Sequence, residues 1–223
     1  MFRMVAMIGF AAVIGGILLH HLLFPCGSEN RFAVGTLVRK KVHLFTLLFL
    51  EQSLNWGGRL RKLAFLLGLL SFAVLLLTGF VPMLLGGRLA GYWLMLHATF
   101  APVFIACAAV VVVTGAHQYR LLNKDSEHLA DLCRHRKTNK ACWLTDCSAA
   151  AKVGFWLLAA LSLPVTLTMV LSMTPLFGTE GQECLFHLHR WFALAFALAG
   201  FLTLYVLIRG EIRKDMEITP KRF

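Results

Sequence analysis

The sequence predicts an all-α integral membrane protein of about five transmembrane helices, and three observations carry that expectation. Hydrophobic residues make up 58% of the 223-residue chain and charged residues only 15%, with a mean hydropathy of +0.72, outside the range of soluble domains. Five apolar runs each reach the roughly 20 residues that cross a bilayer as a helix. The 22 Lys and Arg, against 11 Asp and Glu, gather in loops and at the C-terminus. In a soluble domain a net charge of +11 would suggest nucleic acid; here it reads as topogenic charge and attraction to anionic lipid.

The first run, Met4 to Phe24, is apolar except for His20 and His21 near its end. No small-x-small cleavage site precedes PCGSEN convincingly, so this run is expected to remain as a span rather than leave as a signal peptide. Arg31 to Lys62 is basic, and its apolar stretch VHLFTLLFL is too short to cross, which fits an interfacial amphipathic helix. Four further spans are expected near Leu63 to Leu85, Gly91 to Ala116, Val153 to Pro175 and Phe186 to Ile208. The Gly-rich turn LGGRLAG makes the first two of these antiparallel neighbours. Pro102 and Pro164 lie inside spans, where each can kink its helix and free a carbonyl. The chain thus divides into an N-terminal span (1–27), a basic interfacial segment (28–62), a four-helix domain (63–210) with a loop at 117–152, and a basic tail (211–223).

Charge asymmetry sets the expected orientation. Seven Lys or Arg fall between Glu29 and Lys62, seven between His117 and Lys152, and five after Ile208, which leaves Arg3, Arg88 and Arg190 for the other side. By the positive-inside rule the long loop and the C-terminus face the cytoplasm of a bacterial plasma membrane and the N-terminus faces outside.

Against that frame of spans, the histidines stand out. From Leu89 to Ala116 there is no Asp, Glu, Lys or Arg, yet His97 lies within the run. An imidazole in hydrocarbon needs a partner, and haem iron is the candidate. His187 and His189 open the last span on the same expected side, so His97 with His189 is the preferred axial pair for a haem b, and His187 is the lesser choice. Such a haem would make the last four spans a four-helix haem-binding bundle, with the N-terminal helix added. A second, inner haem could use His117 with His20, His21 or His43. Helical geometry opposes a simple version: 20 residues at about 100° each put His97 and His117 on nearly opposite faces. The plainer reading makes these histidines interfacial groups or bonds to neighbouring carbonyls.

Several of these segments resemble the four-helix cytochrome b subunits of formate dehydrogenases and nickel–iron hydrogenases. RLRKLAFLLGLLSFAVLLLTGF is similar to that family's span that opens on Arg and closes in Thr-Gly, with Arg59 or Arg61 and Thr78-Gly79 in those places. LMLHATFAPVF resembles the next His-bearing span, and LFHLHRWFALAFALAGFLTLYVLIRG the last. The resemblance covers roughly 59–210 and implies His97 and His189 as haem ligands, with electrons carried between a redox partner and membrane quinone. The chain departs from the family at Ala64 and Phe65, where the family has a His, and around Leu204 and Tyr205, where it has another. One of that family's two haems would therefore lack its usual ligands here.

Two other features bear on chemistry. The loop CRHRKTNKACWLTDC offers Cys133, His135, Cys142 and Cys147 to a zinc ion or iron–sulfur cluster, although the spacing fits no familiar knuckle and reduced thiols are the plainer reading. A quinone pocket could draw on Tyr92, Trp93 and His187 at the outer side, or on His43, Glu51, His117, Gln118 and Tyr119 at the inner side. No nucleophile–base constellation, phosphate loop or acidic metal cluster is visible, so catalysis by the chain alone is not expected; its partners would be the other redox subunits of a multi-subunit complex. The alternative is a haem-free membrane anchor or assembly subunit of a respiratory or photosynthetic complex.

Overall fold

A computed structural model of the chain describes residues 1–23, 56–121 and 147–218. Those residues form five helices and, among them, no strand: α1 (Phe2–Leu23), α2 (Trp56–Leu84), α3 (Gly91–Gly115), α4 (Cys147–Ser172) and α5 (Thr179–Ile218). Each contains a stretch long and apolar enough to cross a membrane. In lipid a helix satisfies its own backbone donors and acceptors, which is why uninterrupted apolar runs take this form. The chain is an all-α integral membrane protein with five candidate spans.

The helices outrun the apolar stretches that announce them. α2 starts at Trp56 rather than near Leu63, because long basic side chains such as Arg61 and Lys62 can lie along a helix and reach toward water. α5 begins at Thr179 rather than Phe186, with Glu180 in its first turn, where a carboxylate favours the helix's positive end. α4 stops at Ser172, shortly before Thr174-Pro175, since the residue before a proline is disfavoured in helical conformation. The interfacial helix expected within 28–62, with His43 and Glu51, lies outside the described residues apart from 56–62, which belong to α2.

The described residues form two compact units. One contains α2 and α3. α2 closes in a Schellman motif: Gly86, at φ 86°, donates to the Met83 carbonyl at 3.1 Å and Gly87 donates to the Pro82 carbonyl at 2.8 Å. This is the physical content of the Gly-rich turn, and it folds α3 back antiparallel to α2. Contacts then step down one helix as they climb the other: Thr78 with His97, Phe72 with Phe104, and Gly68 with Cys107. Ala64, Ser71 and Thr78, each seven residues from the next, are the buried residues of α2.

The other unit contains α1, α4 and α5, together with the turn at 116–119. α4 and α5 are antiparallel, with Gly154 against Thr203 at one level and Val165 against His189 at another. α1 packs on α5 in parallel: Phe2 meets Trp191 edge-on at 4.9 Å, Gly9 receives Leu198, Phe10 meets Phe201, and His20 meets Tyr205. Arg190 also stands over the Phe2 ring, 4.9 Å from its centroid. Small residues do much of the inward packing, with Ala6, Ala149, Ala151, Ala197, Ala199 and Thr203 buried while many Leu, Ile and Val side chains face outward. That is the expected division in lipid, where burying Leu gains little and close backbone approach gains contact.

Candidate functional site

His97 sits in the second turn of α3, about 9 Å along the axis from Gly91 at 1.5 Å per residue. Its Nδ1 lies 3.0 Å from Thr78 Oγ1 on α2. The Thr78 hydroxyl has one proton, and it donates that proton to the Val74 carbonyl at 2.7 Å, one turn back on its own helix. With its proton on the Val74 carbonyl, Oγ1 accepts from His97 Nδ1–H, the tautomer that leaves the lone pair on Nε2. Gly79 completes the seat. A Cβ at that position would come within 3.2 Å of His97 Cε1 and 3.6 Å of Nδ1. The dipeptide Thr78-Gly79 thus works as a unit: the Thr fixes the ring's tautomer and the Gly makes room for the ring. Thr78 is 1% exposed, so this bond is shielded from water.

His189 reaches the same tautomer by a different route. Its Nδ1 is 3.0 Å from the Val165 carbonyl on α4, and a carbonyl only accepts. The proton is again on Nδ1 and the lone pair on Nε2. Thr168 lies at the edge of this contact, its Oγ1 3.5 Å from Nδ1, while its proton goes to the Pro164 carbonyl at 2.6 Å. Pro164 gives α4 a local departure from helical bonding next to the turn that accepts His189. Both histidines are half-buried.

Two imidazoles in lipid-length helices, each held by Nδ1–H to an oxygen of the adjacent helix, share the arrangement that metal-ligating histidines adopt. The bond at Nδ1 fixes the tautomer and the ring plane and raises the basicity of Nε2. The donor chemistry therefore fits haem iron, which takes neutral imidazole nitrogens. No protein-family model, curated protein or solved structure matches the chain. The chemistry of these side chains therefore carries any functional reading. Among the described residues no three His, Cys, Asp or Glu side chains come together as a metal-binding group, and a haem held by two histidines needs none.

His20 has the opposite arrangement. Arg209 NH1 donates to its Nδ1 at 3.0 Å, and Tyr205 OH lies 2.7 Å from the same nitrogen. Because a guanidinium only donates, Nδ1 is an acceptor and a neutral His20 carries its proton on Nε2. An imidazole so held does not offer Nε2 to a metal. His21 is half-buried beside it, and His187 is exposed on α5. His117 is exposed in the turn after α3, where Tyr119 stacks on Phe155 at 4.4 Å and Trp156 Nε1 donates to the Tyr119 carbonyl at 2.9 Å. Tyr92 and Trp93 are exposed at the start of α3. Of the loop cysteines, Cys133 and Cys142 lie outside the described residues with His135, and Cys147 opens α4.

Sequence reasoning names Thr78 only through a resemblance, and it misses Val165, Thr168 and Arg209 as partners. Thr168 had a local signal: a Thr four residues after Pro164 can cap the Pro164 carbonyl. The Val165 carbonyl had none, because a backbone acceptor leaves no mark on residue type.

Proposed function

We propose that the chain is a haem b-binding membrane subunit that carries electrons within a larger redox complex, exchanging them with quinone, and that His97 and His189 are the axial ligands. The observation that supports this most is the matched tautomer: each ring gives its Nδ1–H to an oxygen, Thr78 Oγ1 or the Val165 carbonyl, and keeps its lone pair on Nε2. Haem would supply one-electron chemistry. The chain's own residues bind and orient: Thr78 and Gly79 set the His97 ring, and the Val165 carbonyl sets the His189 ring. The one-sided distribution of Lys and Arg supports a bacterial plasma membrane location with the 117–152 loop and the C-terminus in the cytoplasm. The parallel packing of α1 on α5 fits an N-terminus on the opposite side.

The test is spectroscopic. Purified chain is expected to give a reduced-minus-oxidised b-type spectrum and a pyridine haemochrome, and His97→Ala and His189→Ala are each expected to abolish the same signal. Full haem content in either variant refutes the assignment of that ligand. A second reading has its own observation: each Nδ1–H bond also ties two helices together, as a haem-free anchor would require. Under that reading the chain purifies without haem, and the two alanine variants lose stability instead.

A further inference from the structure

We propose that His20, Tyr205 and Arg209 form a proton-operated latch that fastens the C-terminal half of α1 to α5. His20 Nδ1 has a single lone pair, and two donors converge on it, Tyr205 OH at 2.7 Å and Arg209 NH1 at 3.0 Å. Arg209 also donates to Tyr205 OH at 3.0 Å, so the three side chains close a ring of bonds across two helices. Arg209 is 9% exposed, and a guanidinium only donates hydrogen bonds.

Protonation of Nδ1 reverses the sense of the contact. The acceptor becomes a donor facing two donors, and a second positive charge arises 3.0 Å from the guanidinium nitrogen, with His21 adjacent on α1. Among the described residues, Tyr205 and Arg209 on α5 and His21 on α1 are titratable or charged groups that meet His20. A proton has access, because His20 lies three residues from the end of α1 at Leu23 and is only half-buried. The remaining α1 contacts are of a different kind: Phe2, Gly9 and Phe10 meet α5 through apolar packing and one cation–π contact, with no imidazole among them. Acidification therefore releases the end of α1 that carries His20 and leaves its start docked. The latch does not depend on haem.

Spin labels at Leu22→Cys on α1 and Leu202→Cys on α5, both exposed positions, report the separation of the two helices in the full chain with its native cysteines replaced, reconstituted in lipid nanodiscs. The distance distribution is expected to be narrow at about pH 8 and to widen about two-fold at about pH 5, a range that spans ordinary histidine titration. In His20→Gln, whose amide oxygen accepts from Arg209 and Tyr205 at every pH, the distribution is expected to stay narrow. Equal widths at the two pH values in the parent, or the same widening in His20→Gln, overturns the latch. Should His20→Gln fail to fold, ¹⁵N imidazole spectra of the parent decide: an unprotonated Nδ1 at pH 8 that becomes protonated as the helices separate supports the latch, and a protonated Nδ1 at pH 8 refutes it.

Discussion

Gly154 permits the closest approach between α4 and α5, and its replacement by Ala tests that packing quantitatively. A Cβ at 154 would lie 2.5 Å from Thr203 Oγ1, 2.8 Å from Cγ2 and 3.1 Å from Cβ, whereas ordinary contact begins at 3.4 Å. Thr203 Cβ, which rotation about χ1 does not move, already lies inside ordinary contact, and Oγ1 and Cγ2 lie closer still. With Thr203 in place the helices must separate locally by up to about 0.9 Å, the difference between 3.4 and 2.5 Å, and overpacking of this kind costs roughly 1–3 kcal/mol. Thr203→Ala removes the two nearest atoms and leaves a contact at 3.1 Å, which a shift of a few tenths of an ångström absorbs. Gly154→Ala is thus expected to lower the thermal midpoint of the purified chain, followed by tryptophan fluorescence in mild detergent, by on the order of 5 °C. The double variant should recover a coupling of roughly 1–2 kcal/mol relative to the sum of the single changes. A Gly154→Ala midpoint within about 1 °C of the parent, or a double variant no better than the sum, refutes the packing described.

Other changes separate the two histidine seats. Thr78→Val removes the acceptor for His97 Nδ1–H and is expected to weaken haem retention by about 10–100-fold in a competition titration with apomyoglobin, with Thr78→Ser restoring it. Thr168→Val is expected to change retention less than about 3-fold in the same titration, because His189 keeps the Val165 carbonyl, and an effect as large as that of Thr78→Val would contradict the assigned acceptor. Phe2→Ala removes the edge contact with Trp191 and the face under Arg190, with an expected loss of about 1–2 kcal/mol measured by the same thermal assay. Reporter fusions after Phe223 and before Met1 should read cytoplasmic and external respectively; the same reading at both ends contradicts the parallel packing of α1 on α5.

Much of the architecture is legible in the sequence because lipid imposes so strict a rule on the backbone. Apolar runs of sufficient length have one solution, and LGGRLAG announces its own turn through Gly86, the residue that takes the positive φ of the helix cap. Helix ends are less legible, since Trp56–Lys62 and Thr179–Glu183 remain helical beyond the hydrocarbon, where hydropathy no longer marks them. At the candidate site, His97 and His189 stand out as polar rings in apolar runs, but what holds each ring does not. A Thr that caps its own helix in one role and orients a neighbour's imidazole in another has the same letter in both. The pairing of α1 with α5 was not readable, because neither helix has a strong apolar periodicity and their contacts cross nearly the whole chain. His20 and His21 suggested metal binding from the sequence, and the partner that redirects His20 is an Arg placed at the expected membrane edge.

The parallel union of the first and last helices has a consequence for biosynthesis. Helices synthesised in succession emerge antiparallel and can pair at once, but α1 and α5 cannot. The residues that close their far end are 189 positions apart, roughly 10–40 s of ribosome time at about 5–20 residues per second. Throughout that interval the first helix is in the bilayer with its docking face against lipid. When Arg209 finally arrives, the imidazole that accepts its hydrogen bond is already in place, so the buried guanidinium at the membrane edge meets a partner made long before it.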